Sequence, residues 1–200
     1  MADENQAAFL RLFIALPVPE DVRGEIARAQ GQLKRSAPPG AIRWTRADQF
    51  HLTLKFLGDF PSAQLEAMKK SVTEACVGFG AIQLAAHGMG FFPNAKKPRV
   101  LWAGAGDDED RLAELHHRIH AAVLPFAPAD TSERFSSHIT LGRFKPGHHG
   151  SMDNFMGRTA QFHAKQFGSW LADKVEIIQS NLTPEGAMHT VICVCPLAAA

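Results

Sequence analysis

No tyrosine occurs in these 200 residues, and cysteine occurs only three times. Cys76 stands alone, while Cys193 and Cys195 alternate in an apolar stretch, so there is no Cys-x-x-Cys pair. That excludes a disulfide framework and favours a reducing compartment. An excess of either charge is also missing: 21 Lys plus Arg against 20 Asp plus Glu leaves a net charge of +1. The chain therefore lacks the global positive field of a protein that coats long nucleic acid, and any nucleic-acid ligand would be gripped locally. No apolar run approaches the length of a bilayer-spanning helix. The N-terminal Met-Ala-Asp-Glu-Asn is acidic where a secretory signal is basic. The expectation is a cytoplasmic protein with no membrane partner.

What the chain does have, twice, is the pattern His-x-Thr-x with aliphatic residues at both x positions. The copies are His51-Leu52-Thr53-Leu54 and His138-Ile139-Thr140-Leu141. For 10 His, 8 Thr and 46% apolar residues, composition alone gives roughly 0.08 copies. In a strand, residues two apart share a face, so each copy sets an imidazole and a hydroxyl on one side and two aliphatic side chains on the other. One copy would read as an ordinary half-buried strand. Two copies read as a site built from matching halves.

Around the motifs the chain alternates short strands and helices. Leu10 to Leu16 reads as a buried strand stopped by Pro17 and Pro19, followed by a helix over Glu20 to Lys34 with Val22, Ile26 and Leu33 on one face. A short extended piece at Ile42 to Thr45 leads into the first motif strand, which Gly58 and Pro61 end, and a helix of Leu65, Met68 and Val72 follows. Ile82 to Ala86 and Arg99 to Ala103 read as strands on either side of a Gly-rich turn with Gly88, Gly90, Phe91, Phe92 and Pro93. The acids Asp107 to Asp110 read as the start of a helix over Arg111 to Val123, where they complement its dipole. After the second motif come a helix near Met152 to Thr159 and two closing strands, Val175 to Ser180 and Thr190 to Val194, joined by a turn with Pro184 and Gly186. Each motif strand is followed by a Gly/Pro break and a helix, and the copies lie 87 residues apart. That spacing is too long for a solenoid and suits two similar lobes. The expectation is an α+β chain forming one bilobal domain over residues 1–200, with a pseudo-twofold axis facing the two His-Thr pairs across a groove.

Two imidazoles flanking one centre suit concerted acid and base work, one ring taking a proton while the other gives one. Phosphorus is the natural centre, because in-line displacement puts the attacking and leaving oxygens on opposite sides. The threonine hydroxyls would donate to the non-bridging oxygens as charge builds there. Arg143 is a candidate cation for the same charge, although its odd spacing from His138 requires a bulge or twist at Gly142. Which histidine gives the proton is left open by the near-symmetry of the motifs. The chemistry needs no metal or other cofactor. His116 and His120 stand at i and i+4 on one helix, but the glutamate of a His-Glu-x-x-His site is replaced by His117, so they read as exposed helix histidines. His148 and His149 read as loop residues.

On these residues the chain resembles the RNA 2′,3′-cyclic phosphodiesterases, or 2′-5′ RNA ligases, of the 2H phosphoesterase superfamily, named for two His-x-Thr/Ser-x motifs. The resemblance runs from Arg11 to Leu197. It takes in Arg11 to Pro17, Arg43-Trp44-Thr45, HLTLKFLG over residues 51–58, Gly90 to Asn94, Arg99 to Trp102 and HITLGRF over residues 138–144. It implies a bilobal α+β fold whose two antiparallel sheets line a central groove with helices outside. It also implies opening of a terminal RNA 2′,3′-cyclic phosphate to a 2′-phosphate, by a protein that is a monomer by default. On matching positions His51 would be the proton donor to the leaving 3′-oxygen, His138 the base that activates water, and Thr53 and Thr140 the phosphate grips. With no tyrosine, base stacking would fall to Trp44, Phe91 or Phe92. Departures at Arg134 to Ser137, and at His189-Thr190 where relatives carry an aromatic, are expected to lie away from the chemistry. The alternatives are 2′-5′ ligation by the same residues, a nucleotide- or RNA-binding module without turnover, and a metal-dependent hydrolase using the His116 to His120 helix.

Overall fold

Strand Phe9–Pro17 (β1) is apolar on both faces because both faces are covered. Leu12, Ile14 and Leu16 enter the main core, while Phe13 and Ala15 join Ile178 in a small cluster on the other side. The computed structural model describes residues 9–126, 135–146, 152–183 and 186–197. Arg134, His148, His149 and Pro184 lie outside them. Helix Glu20–Lys34 (α1) buries Val22, Ile26, Ala29 and Leu33 at helical spacing, with Glu20 and Asp21 in its first turn where the dipole favours acids. Next come strands Ile42–Trp44 (β2) and His51–Pro61 (β3) and helix Leu65–Cys76 (α2), which buries Met68, Val72 and Cys76.

Strands Ile82–Phe92 (β4) and Val100–Gly106 (β5) follow, then helix Arg111–Val123 (α3). The acidic run does start α3: the Asp107 carboxylate accepts from the backbone N–H of Arg111 at 2.7 Å and of Leu112 at 3.3 Å. The remaining elements are His138–Phe144 (β6), Asp153–Ala160 (α4), Gln166–Ala172 (β7), Lys174–Thr183 (β8) and Gly186–Pro196 (β9).

Two readings of the sequence are corrected. The Gly-rich stretch expected as a turn belongs to β4, which runs unbroken to Phe92. Gly88 carries a φ of 63° at a register shift between His87 and Met89, and Gly90 lies under the Trp102 indole, so its glycines serve a bulge and a close approach. Strand β7 was not expected. It buries Phe167, Trp170 and Ala172, but Gly168 at φ 123° interrupts the alternation that would have revealed it.

The strands form one curled antiparallel sheet in the order β7-β4-β5-β6-β3-β1-β8-β9, with β2 pairing β6. The two motif strands, β6 and β3, are the middle pair, and each has three strands beyond it. They touch through a single paired position, Leu52 with Ile139. Helices α2 and α3 pack on each other and against β9 and β3, whereas α1 and α4 lie against β7 and β4. Each four-strand half therefore has two helices behind it and a motif strand at its inner edge.

Candidate active site

The pairing of Leu52 with Ile139 fixes where the motif side chains stand. In an antiparallel pair, continuing that register sets His51 beside Thr140 and Thr53 beside His138, all four on one face. Each imidazole thus has the other motif's hydroxyl as its cross-strand neighbour. The opposite face is core, with Leu52, Leu54, Ile139 and Leu141 all 3% exposed or less.

Both rings are held in the same way. His51 Nδ1 donates to the Gln49 carbonyl at 2.8 Å, and His138 Nδ1 donates to the Ser136 carbonyl at 2.7 Å. A carbonyl can only accept, so each neutral ring keeps its proton on Nδ1 and leaves Nε2 for proton exchange. Each ring also rests on a phenylalanine. Phe13 stacks on His51 at 4.6 Å, and Phe92 meets His138 edge-on at 4.9 Å.

A one-residue bulge falls on the last residue of each motif. In β3, Thr53 pairs Ala15 and Lys55 pairs Ile14, so Leu54 is the extra residue. In β6, Thr140 pairs Trp102 and Gly142 pairs Leu101, so Leu141 is the extra residue. Each bulge resets the alternation and brings the residue five beyond the histidine onto the groove face. That residue is Arg143 in one half and Phe56 in the other, and both line the cavity. The irregularity that Arg143 needed is thus present one residue earlier than Gly142. Phe56 had the same claim and was missed, because its bulge is a matter of pairing register that one strand's sequence does not carry.

The groove is a cavity of about 560 Å³, a size suited to a small-molecule or nucleotide-sized ligand. His51, Thr53, Thr140 and Arg143 line it, and so do Arg11, Arg43 and Arg46. No aspartate or glutamate is among the described lining residues. Arg46 is paired to Asp48 at 2.8 Å, whereas Arg11, Arg43 and Arg143 make no ion pair among the described residues. Arg43 and Arg143 sit opposite each other on β2 and β6. Burial and then the Arg43 charge hold Arg143 below the usual guanidinium value. A nearly neutral chain thus sets three arginines that make no ion pair among the described residues along one groove.

His51 is pushed down to about 4, first by burial and then, against the pull of the Gln49 carbonyl, by positive charge on His189, His138 and Arg143. His189 was expected away from the chemistry. It lies 5.5 Å from the His51 ring and 5.0 Å from Phe13, both edge-on. Burial holds its own protonation down too, against the Asp48 charge.

The aromatic candidates separate. Trp44 lines the cavity, with Lys34 Nζ 5.6 Å from its ring centre and Phe155 at 6.3 Å behind. Phe91 packs instead toward the core, against Phe144 at 6.0 Å and Phe155 at 6.2 Å. Phe92 is the member of that pair beside His138 and Trp102. On α3, His116 stacks on Phe135 at 4.1 Å, and no group of three metal-ligating side chains gathers among the described residues.

Paired histidines and hydroxyls on adjoining strands, facing an arginine-lined groove, define a phosphoesterase of the two-histidine class. Comparison with known proteins agrees. The LigT like phosphoesterase family model matches residues 16–102. The RNA 2′,3′-cyclic phosphodiesterase of Methanocaldococcus jannaschii is 28% identical over 186 residues, 92% of this chain and 98% of its own. That of Thermotoga maritima is 26% identical over 186 residues, 93% and 95% of the two chains. A solved structure from Thermus thermophilus superposes with a TM-score of 0.77 at 26% identity, over 94% of this chain and 98% of that one. Escherichia coli LigT complexed with 3′-AMP shares the fold, with a TM-score of 0.73 at 20% identity over the same shares. The chain is thus similar to the LigT like phosphoesterases over residues 16–102 and to RNA 2′,3′-cyclic phosphodiesterases over most of its length, and it is an enzyme.

Proposed function

We propose that this protein hydrolyses the terminal 2′,3′-cyclic phosphate of RNA to a 2′-phosphate by proton transfer between two histidines, without a metal. The observation that carries the reading is the register of β3 on β6, which sets two imidazoles and two hydroxyls on one face, His51, Thr53 and Thr140 among them lining a cationic groove. His138 takes a proton from water as its oxygen attacks phosphorus. The bond to the 3′-oxygen breaks on the far side, and that oxygen takes a proton from His51. Thr53 and Thr140 donate to the non-bridging oxygens and Arg143 balances their charge. Trp44, Phe56 and Phe92 supply aromatic faces for the adjoining base. The relatives in Methanocaldococcus jannaschii and Thermotoga maritima, named as RNA 2′,3′-cyclic phosphodiesterases, support the same substrate. The two halves of the chain act as lobes of one domain, each bringing one wall of the site.

The low proton affinity of His51 fits this assignment once substrate is counted. Burial first, and then His189, His138 and Arg143, disfavour the imidazolium, and a phosphodiester brings a negative charge into that space that raises the proton affinity of His51. The donor is charged by the substrate it serves. The test is to incubate the protein with an oligonucleotide ending in 2′,3′-cyclic phosphate. Conversion to a 2′-phosphate by the wild type, lost in His51→Ala and His138→Ala, is the expected result. Retained turnover in either variant would refute it.

A further inference from the structure

We propose that Gln30 is a positioning residue of this enzyme, holding the β6 bulge that turns Arg143 into the groove; this rests on the reading of Arg143 as the phosphate-binding cation. Gln30 lies on the buried face of α1, at 3% exposure, among Ile26, Ala29 and Leu33. Gln30 and Thr159 are the buried polar residues among those described. Thr159 satisfies its hydroxyl within its own helix, on the Phe155 carbonyl at 2.9 Å. Gln30 instead reaches across to two other elements.

Its amide nitrogen donates to the Thr45 carbonyl at 2.8 Å and to the Leu141 carbonyl at 2.9 Å. Leu141 is the extra residue of the β6 bulge, and its carbonyl faces the β2 side of the strand. The Thr45 N–H reaches the same carbonyl at 2.9 Å. One side chain therefore spends both of its N–H donors tying the bulge to the end of β2. Thr140 stands immediately before the bulge and Arg143 two residues after it, while Arg43 and Trp44 precede Thr45. The groove face of the second half hangs on this knot. An amide in a core position costs desolvation that an aliphatic side chain would avoid, unless every bond it makes there is needed. Here they tie the bulged residue of β6 to the end of β2.

The test compares Gln30→Met, which keeps length and volume but has no donor, with the wild type on a cyclic-phosphate-ended oligonucleotide. It is run in both the native and the Arg143→Ala backgrounds. The expected result is a fall in kcat of about 100-fold, the scale for a misplaced reacting group, with a smaller change in KM. In the Arg143→Ala background the further fall shrinks to a few-fold, because a residue acting through Arg143 has nothing left to position. Gln30→Met within about three-fold of wild type, or losing the same factor in both backgrounds, would overturn the proposal. Should Gln30→Met not fold, Gln30→Glu decides. A neutral carboxyl donates one bond and a carboxylate none, so the Gln30→Glu activity relative to wild type must rise as pH falls, and a flat ratio overturns the proposal. A wild type with no turnover would instead refute the functional reading, and this inference with it.

Discussion

His51 is where the physics of single residues is most exposed. Its folded value of about 4 lies well below the ordinary 6.5, because the ring is buried and shares its groove with cationic neighbours. For a histidine with a lowered folded value, the contribution to stability is complete above about 6.5 and is lost as pH falls toward 4, since the unfolded chain takes up the proton first. With the ring edge open to the groove, that contribution is on the order of 2 kcal/mol. Denaturant melts of wild type and His51→Gln at pH 7.5 and pH 4.5 check this. The wild type should lose more stability between the two than the variant does, and equal losses would contradict it. The same displacement predicts proton uptake when a 2′-nucleotide binds. Calorimetry in buffers of different ionisation enthalpy should show a net proton uptake at pH 7 that is smaller in His51→Gln, and equal uptake in the two would contradict it.

At the scale of elements, the bulges and close approaches are what a sequence carries least well. The motif strands were readable because a period of two assigns faces without knowledge of any neighbour, and the helices because their apolar positions recur at helical spacing. The bulges at Leu54 and Leu141 were not, since an extra residue exists only relative to the strand across from it. Hence Arg143 looked misplaced, Phe56 was passed over, and the sequence could not tell which of Phe91 and Phe92 stands beside His138. Gly90 illustrates the same point. An added Cβ there would stand 2.4 to 2.9 Å from three atoms of the Trp102 indole, which pairs with Thr140 across the sheet. Gly90→Ala should therefore destabilise by about 1–3 kcal/mol, lowering Tm by about 2–4 °C for each kcal/mol in a chain of this size. A thermal melt unchanged from wild type would show that the indole moves aside freely.

For the whole molecule, a net charge of +1 conceals a groove with four arginines and no described carboxylate. Composition counts against a protein that coats nucleic acid, yet it is blind to this local field, because Arg11, Arg43, Arg46 and Arg143 come together only through the fold. The consequence is an affinity for RNA ends that is short-ranged and salt-dependent. With about three phosphate contacts, binding of a short single strand should fall with salt at a logarithmic slope of about −2, and Arg11→Gln should reduce that slope by about 0.7. No change of slope would place Arg11 outside the RNA path. In the mechanism proposed, the β3 and β6 histidines together perform a metal-independent hydrolysis. It is tested most directly by giving the protein an oligonucleotide with a 2′,3′-cyclic phosphate end in excess EDTA and locating the phosphate in the product. The prediction is a 2′-phosphate, formed at an undiminished rate by wild type and at a rate about 10²–10⁴-fold lower by His51→Ala and His138→Ala. A 3′-phosphate product, or turnover abolished by EDTA and restored by added metal, would contradict it.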